Sequence, residues 1–400
     1  MADIDFLSKE FQLPCGATLT NRLAKSAMSE NMANKDNSPS KKLITLYRRW
    51  SVGGAGLLVT GNIMVDSKAL GEPANVVVED ERNLAFLKQM ASATKGTGTH
   101  LWTQLNHPGR QAPFNLNKET VAPSAIASKA NKFMFRQPRA LREDEIWAII
   151  ERFGNSALIL KKAGFTGVQI HGAHGYLVAQ FLSPLSNVRT DQWGGSLENR
   201  ARFAVEIYKR IREKVGNDYP VGIKINSADF QRGGFSEEES MAVIDILSSL
   251  GIDLVEISGG NYEQPAMMGA KQSSKEREAY FMDYIEKVRK RTTIPLMLTG
   301  GFRTVKLMND AIKDGHLDIV GLARPFTLYP ELARDILNGS INKLEVPVAK
   351  TGIKMIDKLG FIDLLWHELQ LERIGAGKEP DQNLSPYLTM VRMAQQNLFR

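Results

Sequence analysis

The sequence predicts an α/β fold, a closed (β/α)8 TIM barrel with an N-terminal hairpin and a C-terminal helical extension. Eight short runs of β-branched and aliphatic residues recur along the 400-residue chain, and a longer amphipathic segment follows each of them. This alternation is typical of parallel βα units. The runs are almost continuously apolar, as strands covered on both faces are. Eight units close most economically into a barrel, and an open doubly wound sheet is the alternative.

The predicted elements follow one another in chain order. Strands are expected at 22–28, 56–65, 100–105, 167–172, 221–226, 253–259, 295–300 and 318–323. Helices are expected at about 40–52, 80–95, 143–164, 197–215, 236–250, 276–291, 303–314 and 325–338. The fifth helix illustrates how the ends are chosen, since Ser236 and Glu239 have the spacing of a capping box and Gly251 follows the last turn. In the third helix, apolar residues recur three and four apart until Gly164.

Segments outside the repeats extend the barrel at both ends. The stretch "FQLPCGATLTNR" (11–22) has a Pro-Cys-Gly break between two alternating runs, which predicts a hairpin closing the bottom of the barrel. The barrel core is expected at about 20–335, and residues 340–400 are expected to add helices. No linker or repeat marks a second domain, so 1–400 is predicted to be one domain.

Composition narrows the class of protein. Apolar residues make up 43% and charged residues 24%, as in ordinary globular chains, and the single cysteine excludes a disulfide framework or a cysteine-bound cluster. The N-terminus has no apolar signal segment and the apolar runs are too short to span a membrane, so a cytoplasmic protein without membrane contact is expected. Basic residues alternate with apolar ones at helical spacing, which favours solvated helix faces over a nucleic-acid surface. The net charge of +7 favours anionic ligands.

Glycines at the ends of the last two strands predict a phosphate site. The segments "LTGGFR" and "VGLARP" place Gly300, Gly301 and Gly321 at strand ends, with Arg324 close by. Glycine lets backbone N–H groups approach a phosphate, helix N-termini favour anions, and barrels often bind phosphate at the seventh and eighth strands. Turn glycines with a surface ion pair are the alternative.

Lys224 lies near the end of the fifth strand, in "IKIN". A buried ammonium is costly unless it has a partner or a function. Three interpretations stay open: a Schiff-base nucleophile, a fixed cation beside developing negative charge, or a lysine paired with a neighbouring acid.

The segment "HGAHGY" places His171 at the end of the fourth strand and His174 and Tyr176 in the loop that follows. A zinc site is disfavoured because no third ligand is evident nearby. Histidine N–H groups can bind a carbonyl oxygen, and a tyrosine hydroxyl can deliver a proton. The trio therefore favours chemistry beside a carbonyl group over a packed core. At the ends of the neighbouring strands, Gln104 and Asn62 offer amide groups that can recognise the edge of a flat heterocycle.

These motifs carry a family resemblance. "QIHGAHGYLVAQFLSPLSNVRTDQWGGSLENRARF", with "QLNHPGR" upstream and "GGFR" and "GLARP" downstream, resembles the old yellow enzyme family of FMN-dependent (β/α)8-barrel oxidoreductases. The resemblance covers about residues 10–335. It implies tightly but non-covalently bound FMN, with NADH or NADPH as the reductant.

The resemblance also implies a role for each candidate residue. The predicted FMN contacts are Gln104 at the pyrimidine edge, Lys224 beside N1 and O2, Ala27, Met28, Ser29 and Gly61 along the ring, and Gly300, Gly301, Gly321 and Arg324 at the phosphate. His171 and His174 would bind the substrate carbonyl oxygen, and Tyr176 would protonate the α-carbon. Two positions depart from related subgroups: Ser29 replaces a redox-tuning cysteine or threonine, and Asn31 replaces an active-site tyrosine.

The leading hypothesis is an ene-reductase that reduces the C=C bond of an α,β-unsaturated carbonyl compound. A Schiff-base lyase or aldolase using Lys224 is the first alternative, and a non-catalytic flavin-binding protein is the second. The expected partner is a small enone or quinone, and a homo-oligomer stays possible. The long loop at 259–281 is a candidate lid.

Overall fold

A computed structural model describes residues 4–129, 134–259, 281–357 and 361–398. Eight parallel strands form a closed ring, because the first strand pairs with both the second and the eighth. In chain order the strands β1–β8 are Leu23–Lys25, Leu57–Met64, His100–Asn106, Gly167–Gly172, Val221–Asn226, Leu254–Ser258, Leu296–Thr299 and Ile319–Leu322. The predicted closed barrel is therefore confirmed, and the open sheet is excluded.

Helices surround the ring of strands. The helices α1–α8 are Lys41–Val52, Leu84–Ala91, Glu143–Ala163, Leu197–Val215, Glu237–Ser249, Met282–Arg289, Val305–Lys313 and Leu332–Leu337. Shorter elements are a helical turn at Asp5–Ser8, a strand at Val76–Val77 on the edge of β2, a parallel pair of Val121–Ala122 with Arg139–Ala140, and a helix at Leu177–Leu182. The capping box of Ser236 and Glu239 is present at the start of α5.

Two predicted helices differ from the structure. The helix predicted at 325–338 is broken into a 3-10 turn at Arg324–Thr327 and α8, and Pro330 lies between them. Proline has no N–H to donate to a helix and clashes with the preceding turn, which explains the break. The helix predicted at 80–95 is α only over Leu84–Ala91, with a 3-10 turn on each side. The proposed lid falls mainly on 260–280, which lies outside the described residues.

The barrel interior is apolar at its lower end. One buried cluster contains inward-facing residues of six strands together with Leu13 and Leu19 of the N-terminal hairpin. The hairpin pairs Phe11 with Leu19 and Gln12 with Thr18 in antiparallel register, as predicted. Its two leucines close the bottom of the barrel, so a ligand of the barrel reaches the interior from the opposite end.

The C-terminal extension is helical, as predicted, with helices at Lys354–Asp357, α9 (Phe361–Gly375) and α10 (Tyr387–Leu398). Helix α9 packs against α1 and against the turn at Arg324–Thr327, which brings it to the rim of the barrel. Among the described residues, no helix has both the length and the hydrophobicity needed to cross a bilayer.

Candidate active site

A layer of polar side chains crosses the barrel above its apolar floor. Successive side chains of a strand point to opposite faces, so residues two apart point to the same face. Three polar residues are each two positions from another inward-facing residue of their strand and therefore also point into the barrel: Gln104, Gln169 and Glu256. They are joined by hydrogen bonds: Gln104 Nε2 donates to Gln169 Oε1, and Gln169 Nε2 donates to Glu256 Oε2, each over 2.7 Å. All three are almost wholly buried.

Lys224 belongs to the same layer. Its ammonium lies 2.9 Å from Glu256 Oε1, and the two side chains are 4% and 0% exposed. Thr299 donates to the same carboxylate oxygen over 2.7 Å and shares a hydrogen bond of 2.7 Å with Ser26. The ion-pair interpretation of Lys224 is confirmed. An ammonium has three N–H groups, so pairing with Glu256 leaves donors for a ligand above it.

His171, His174 and Tyr176 come together at the mouth, one layer higher. The ring centroids of His171 and Tyr176 are 4.8 Å apart, and those of His171 and His174 are 5.2 Å apart. The backbone N–H of Ala173 donates to His171 Nδ1 over 3.3 Å, which places the proton of the neutral ring on Nε2. His174 Nε2 lies 2.8 Å from the Ser258 hydroxyl, which fixes that ring.

Both histidines are neutral at physiological pH. Burial, and then electrostatic repulsion from His174 and Lys224, hold the pKa of His171 well below its usual value. Burial and Lys224 do the same to the pKa of His174. Each neutral imidazole carries one N–H donor. The site can therefore donate hydrogen bonds to a carbonyl oxygen without placing a full positive charge beside it.

The loop after β1 forms another wall. Ala27, Met28 and Ser29 follow the last ladder residue of β1 and are half-buried. Gly61 lies beside them, and a Cβ there would sit 2.4 Å from the carbonyl oxygen of Met28. Only glycine allows this approach, which explains the residue and agrees with the prediction that both segments line one flat ligand.

A second buried lysine supports this wall from outside the barrel. Lys25 Nζ donates to the carbonyl of Val59 over 2.9 Å and lies 3.6 Å from Glu30. Glu30 in turn accepts hydrogen bonds from Tyr47 and, over 3.0 Å, from the N–H of Gly61. Burial lowers the pKa of Lys25 to about 8, although Glu30 opposes the shift. The sequence signal for this cluster is a lysine in the middle of the predicted strand 22–28.

The glycines of the predicted phosphate site have the expected backbone. Gly300 and Gly301 adopt positive φ values of 118° and 85° and are exposed at the end of β7. Arg324 lies at the end of β8, is 40% exposed and pairs with Asp363 of α9 over 3.2 Å. Gly321 faces inward instead, because a Cβ there would lie 2.1 Å from Thr299 Oγ1. Its visible role is to leave room for the Ser26–Thr299 hydrogen bond.

Helix α9 contributes residues that the sequence analysis missed. The Ser29 hydroxyl donates to Glu368 Oε1 over 2.9 Å, and Thr327 shares a hydrogen bond of 2.6 Å with His367. A hydroxyl has one hydrogen to donate, and in this structure Ser29 gives it to Glu368. No local pattern in "FIDLLWHELQ" distinguishes these polar residues from those of a solvated helix.

A flat heterocycle with a phosphate fits these residues. In the polar layer, Lys224 and Gln104 offer hydrogen-bond donors and an acceptor. Gly61 leaves a flat wall beside them, and Gly300 and Gly301 form an exposed turn at the end of β7. Within the described chain, the carboxamide of Asn106 and the Nδ2 atom of Asn226 are buried without a hydrogen-bond partner. Buried polar groups are normally satisfied, so these atoms favour a polar ligand in the mouth. The described residues contain no cluster of three or more groups suited to a metal ion.

Comparison with known proteins decides the family. Residues 12–342 match the model of the NADH:flavin oxidoreductase / NADH oxidase family. The chain belongs to this family. It is 37% identical over 372 residues to the NADH-dependent flavin oxidoreductase iccE of Talaromyces variabilis, covering 86% of this chain and 89% of that protein.

Solved structures place the chain among the old yellow enzymes. The old yellow enzyme homologue of Zymomonas mobilis superposes with a TM-score of 0.71 at 25% identity, covering 85% of this chain and 94% of that one. A 2-naphthoyl-CoA reductase complex gives a TM-score of 0.79 at 28% identity, covering 84% of this chain and 52% of that one, so this chain spans about half of that larger protein. An old yellow enzyme of this family uses FMN, with NADH or NADPH as reductant. The individual residue roles remain predictions.

A carboxylate pair beside the mouth predicts an unusual pH dependence of stability. Burial, and then the charge of Glu368, raise the pKa of Glu72 from 4.5 to about 8. A carboxyl whose pKa rises on folding contributes stability below the unfolded value of 4.5, and this contribution is lost as the pH rises toward 8. The slope is at most about 1.4 kcal/mol per pH unit. We expect Glu72→Gln to flatten this decline in urea unfolding measured at pH 5, 6, 7 and 8. An unaltered pH profile in the variant would contradict the assignment.

Proposed function

We propose that this flavin oxidoreductase reduces the C=C bond of α,β-unsaturated carbonyl compounds. The observation that carries the proposal is the trio at the end of β4, where the ring centroids of the His174 imidazole and the Tyr176 phenol lie 5.2 Å and 4.8 Å from that of His171. Bound FMN would supply hydride taken from NADH or NADPH, which is chemistry that the protein itself cannot provide. The chain's own residues bind, orient and protonate the substrate.

The roles follow from the hydrogens that each group can offer. His171 Nε2–H and a ring N–H of His174 would bind the substrate carbonyl oxygen, where negative charge develops as hydride reaches the β-carbon. Tyr176, which is 7% exposed, would give its phenolic proton to the α-carbon. Lys224 would stabilise negative charge at the pyrimidine end of the flavin, and Gln104 would recognise the pyrimidine edge. Gly300, Gly301 and Arg324 would hold the phosphate.

Two alternative functions are less well supported. A Schiff-base enzyme needs a lysine nitrogen that is free to attack a carbonyl carbon, whereas Lys224 Nζ is held 2.9 Å from Glu256 Oε1 in a buried ion pair. The family assignment also points away from it. A flavin carrier would need the polar layer of Lys224 and Gln104 and the turn of Gly300 and Gly301 to bind FMN. It would not need two neutral histidines beside a tyrosine at the mouth.

The two half-reactions test the proposal separately. The protein reconstituted with FMN is reduced anaerobically with NADH, because the relative from Talaromyces variabilis is an NADH-dependent flavin oxidoreductase, and NADPH is compared. The reduced protein is then mixed with 2-cyclohexenone, and flavin absorbance and product are followed. We expect reoxidation with formation of cyclohexanone. Reoxidation by oxygen or quinones alone, with no enone in a panel consumed, would reject the ene-reductase proposal while leaving the family assignment intact.

A further inference from the structure

Glu256 has three polar partners inside the barrel, although the proposed reaction gives it no role. It is fully buried at the middle of β6. Its carboxylate accepts hydrogen bonds from Thr299 and Gln169 and pairs with Lys224. A buried carboxylate is costly to desolvate, and neutral residues of similar shape would usually serve packing as well. Its presence therefore calls for a role beyond packing.

The first consequence of this carboxylate concerns the orientation of an amide. A carboxylate only accepts, so Gln169 must turn its NH2 group toward Glu256 and its oxygen toward Gln104. Gln104 must then give an N–H to Gln169, which leaves its own oxygen and its second N–H for a ligand. The charge on Glu256 thus determines, through two amides, which hydrogen-bonding face Gln104 presents at the mouth.

The second consequence concerns a charge. Lys224 is 4% exposed, and an ammonium so deeply buried needs a compensating anion. The Glu256 carboxylate supplies this anion, so the Lys224 ammonium is held at one place in the polar layer. It also offsets part of the positive charge that Lys224 would present to a ligand.

We propose that Glu256 is a positioning residue for the flavin site, which sets the hydrogen-bonding face of Gln104 and holds and partly neutralises Lys224. The proposal rests on the proposed roles of Gln104 and Lys224 at the flavin. It assigns to one carboxylate both the affinity for the pyrimidine edge and the relative affinity for oxidised and reduced FMN.

Glu256→Gln is the informative change because it preserves shape and removes charge. Its new NH2 group would face that of Gln169, which must rotate, and Gln104 must rotate in turn and lose its free oxygen. We expect the dissociation constant of oxidised FMN, measured by the fluorescence of FMN released from the holoprotein, to rise about tenfold or more. Removing a negative charge should also favour anionic reduced FMN by about tenfold, a rise of ~30 mV for a two-electron couple.

A paired variant separates the two effects. In Glu256→Gln with Gln169→Glu, the new carboxylate accepts from both neighbours, so Gln104 regains its orientation while the anion moves away from Lys224. We expect FMN affinity to return to within about threefold of the parent, with the potential remaining raised. Gln169→Leu alone should weaken FMN binding and leave the potential within a few millivolts, and it remains available if Glu256→Gln fails to fold.

Asp253→Asn is the matched control. Asp253 lies just before β6, is 1% exposed and pairs with Arg212 over 2.6 Å, so the variant breaks another buried ion pair far from the mouth. We expect Asp253→Asn to lower the free energy of unfolding and to leave both the FMN affinity and the reduction potential unchanged. Equal changes in FMN affinity and potential in the control and in Glu256→Gln would overturn the proposal, and so would a folded Glu256→Gln with parental values. These measurements use dithionite and no enone, so they stand apart from the test of ene reduction.

Discussion

Tyr176→Phe is expected to slow enone reduction by about 10²- to 10³-fold, while reduction of the flavin by NADH stays within about threefold of the parent. General acid catalysis by a positioned side chain is usually worth 10²- to 10⁴-fold. The substitution removes one hydroxyl and keeps the ring, which is in edge contact with His171 at 4.8 Å between centroids. The packing of the mouth therefore remains, and only the proton is lost.

Anaerobic stopped-flow absorbance measures both half-reactions of this variant. Tyr219→Phe is the control, since Tyr219 is also buried but its hydroxyl donates to the carbonyl of Phe165 over 3.0 Å, at the lower end of the barrel. We expect Tyr219→Phe to lower the free energy of unfolding slightly and to leave the rates of both half-reactions unchanged. A fall of the same size in both half-reactions of Tyr176→Phe would assign Tyr176 to binding or structure. A solvent isotope effect on enone reduction that disappears in the variant would support the assignment further.

Lys224→Met is expected to have the second-largest effect, on two separate quantities. Loss of a cation aimed at developing charge usually costs about 10²- to 10³-fold in rate, so reduction of the flavin by NADH should slow by about that factor. The variant also leaves Glu256 without its counter-ion in the barrel interior. Breaking a buried ion pair in this way destabilises proteins by about 3–5 kcal/mol. Urea unfolding measures the second quantity and stopped-flow absorbance the first.

The combined variant Lys224→Met with Glu256→Gln distinguishes the two effects. With both charges gone, no uncompensated ion remains, and most of the lost stability should return. The slow reduction by NADH should persist, because the cation is still missing. A single variant that reduces at the parental rate would show that Lys224 acts only in folding.

The barrel could be predicted because its information is local. Each strand is a short apolar run with a turn at its end, and β4 and β5 have the predicted limits 167–172 and 221–226. The mouth residues could be predicted as well, because the carboxyl ends of all strands meet at one end of a parallel barrel. The positions of His171 at the end of β4, and of His174 and Tyr176 just after it, are enough to predict that these side chains meet at the mouth.

Contacts between distant segments could not be predicted in the same way. Glu256 and Gln169 interrupt apolar strands, which signals something unusual, but nothing in the sequence states that one faces the other across the barrel. The partners of Ser29 and Arg324 come from α9, more than 30 residues farther on in both cases. Pro330 accounts for the break in the helix predicted at 325–338, because proline cannot continue the helix on its N-terminal side.

The hairpin that closes the barrel floor has a consequence for the order of folding. Its leucines pack in one cluster with Leu254, Met297 and Ile319, which belong to the last three strands. The hairpin precedes all eight barrel strands in the chain and leaves the ribosome before them, yet its binding site does not exist until the last strand has been synthesised. Contacts so distant in sequence form late and make folding slow. In the nascent chain, Leu13 and Leu19 would therefore stay exposed and could bind a chaperone until the barrel strands close above the hairpin.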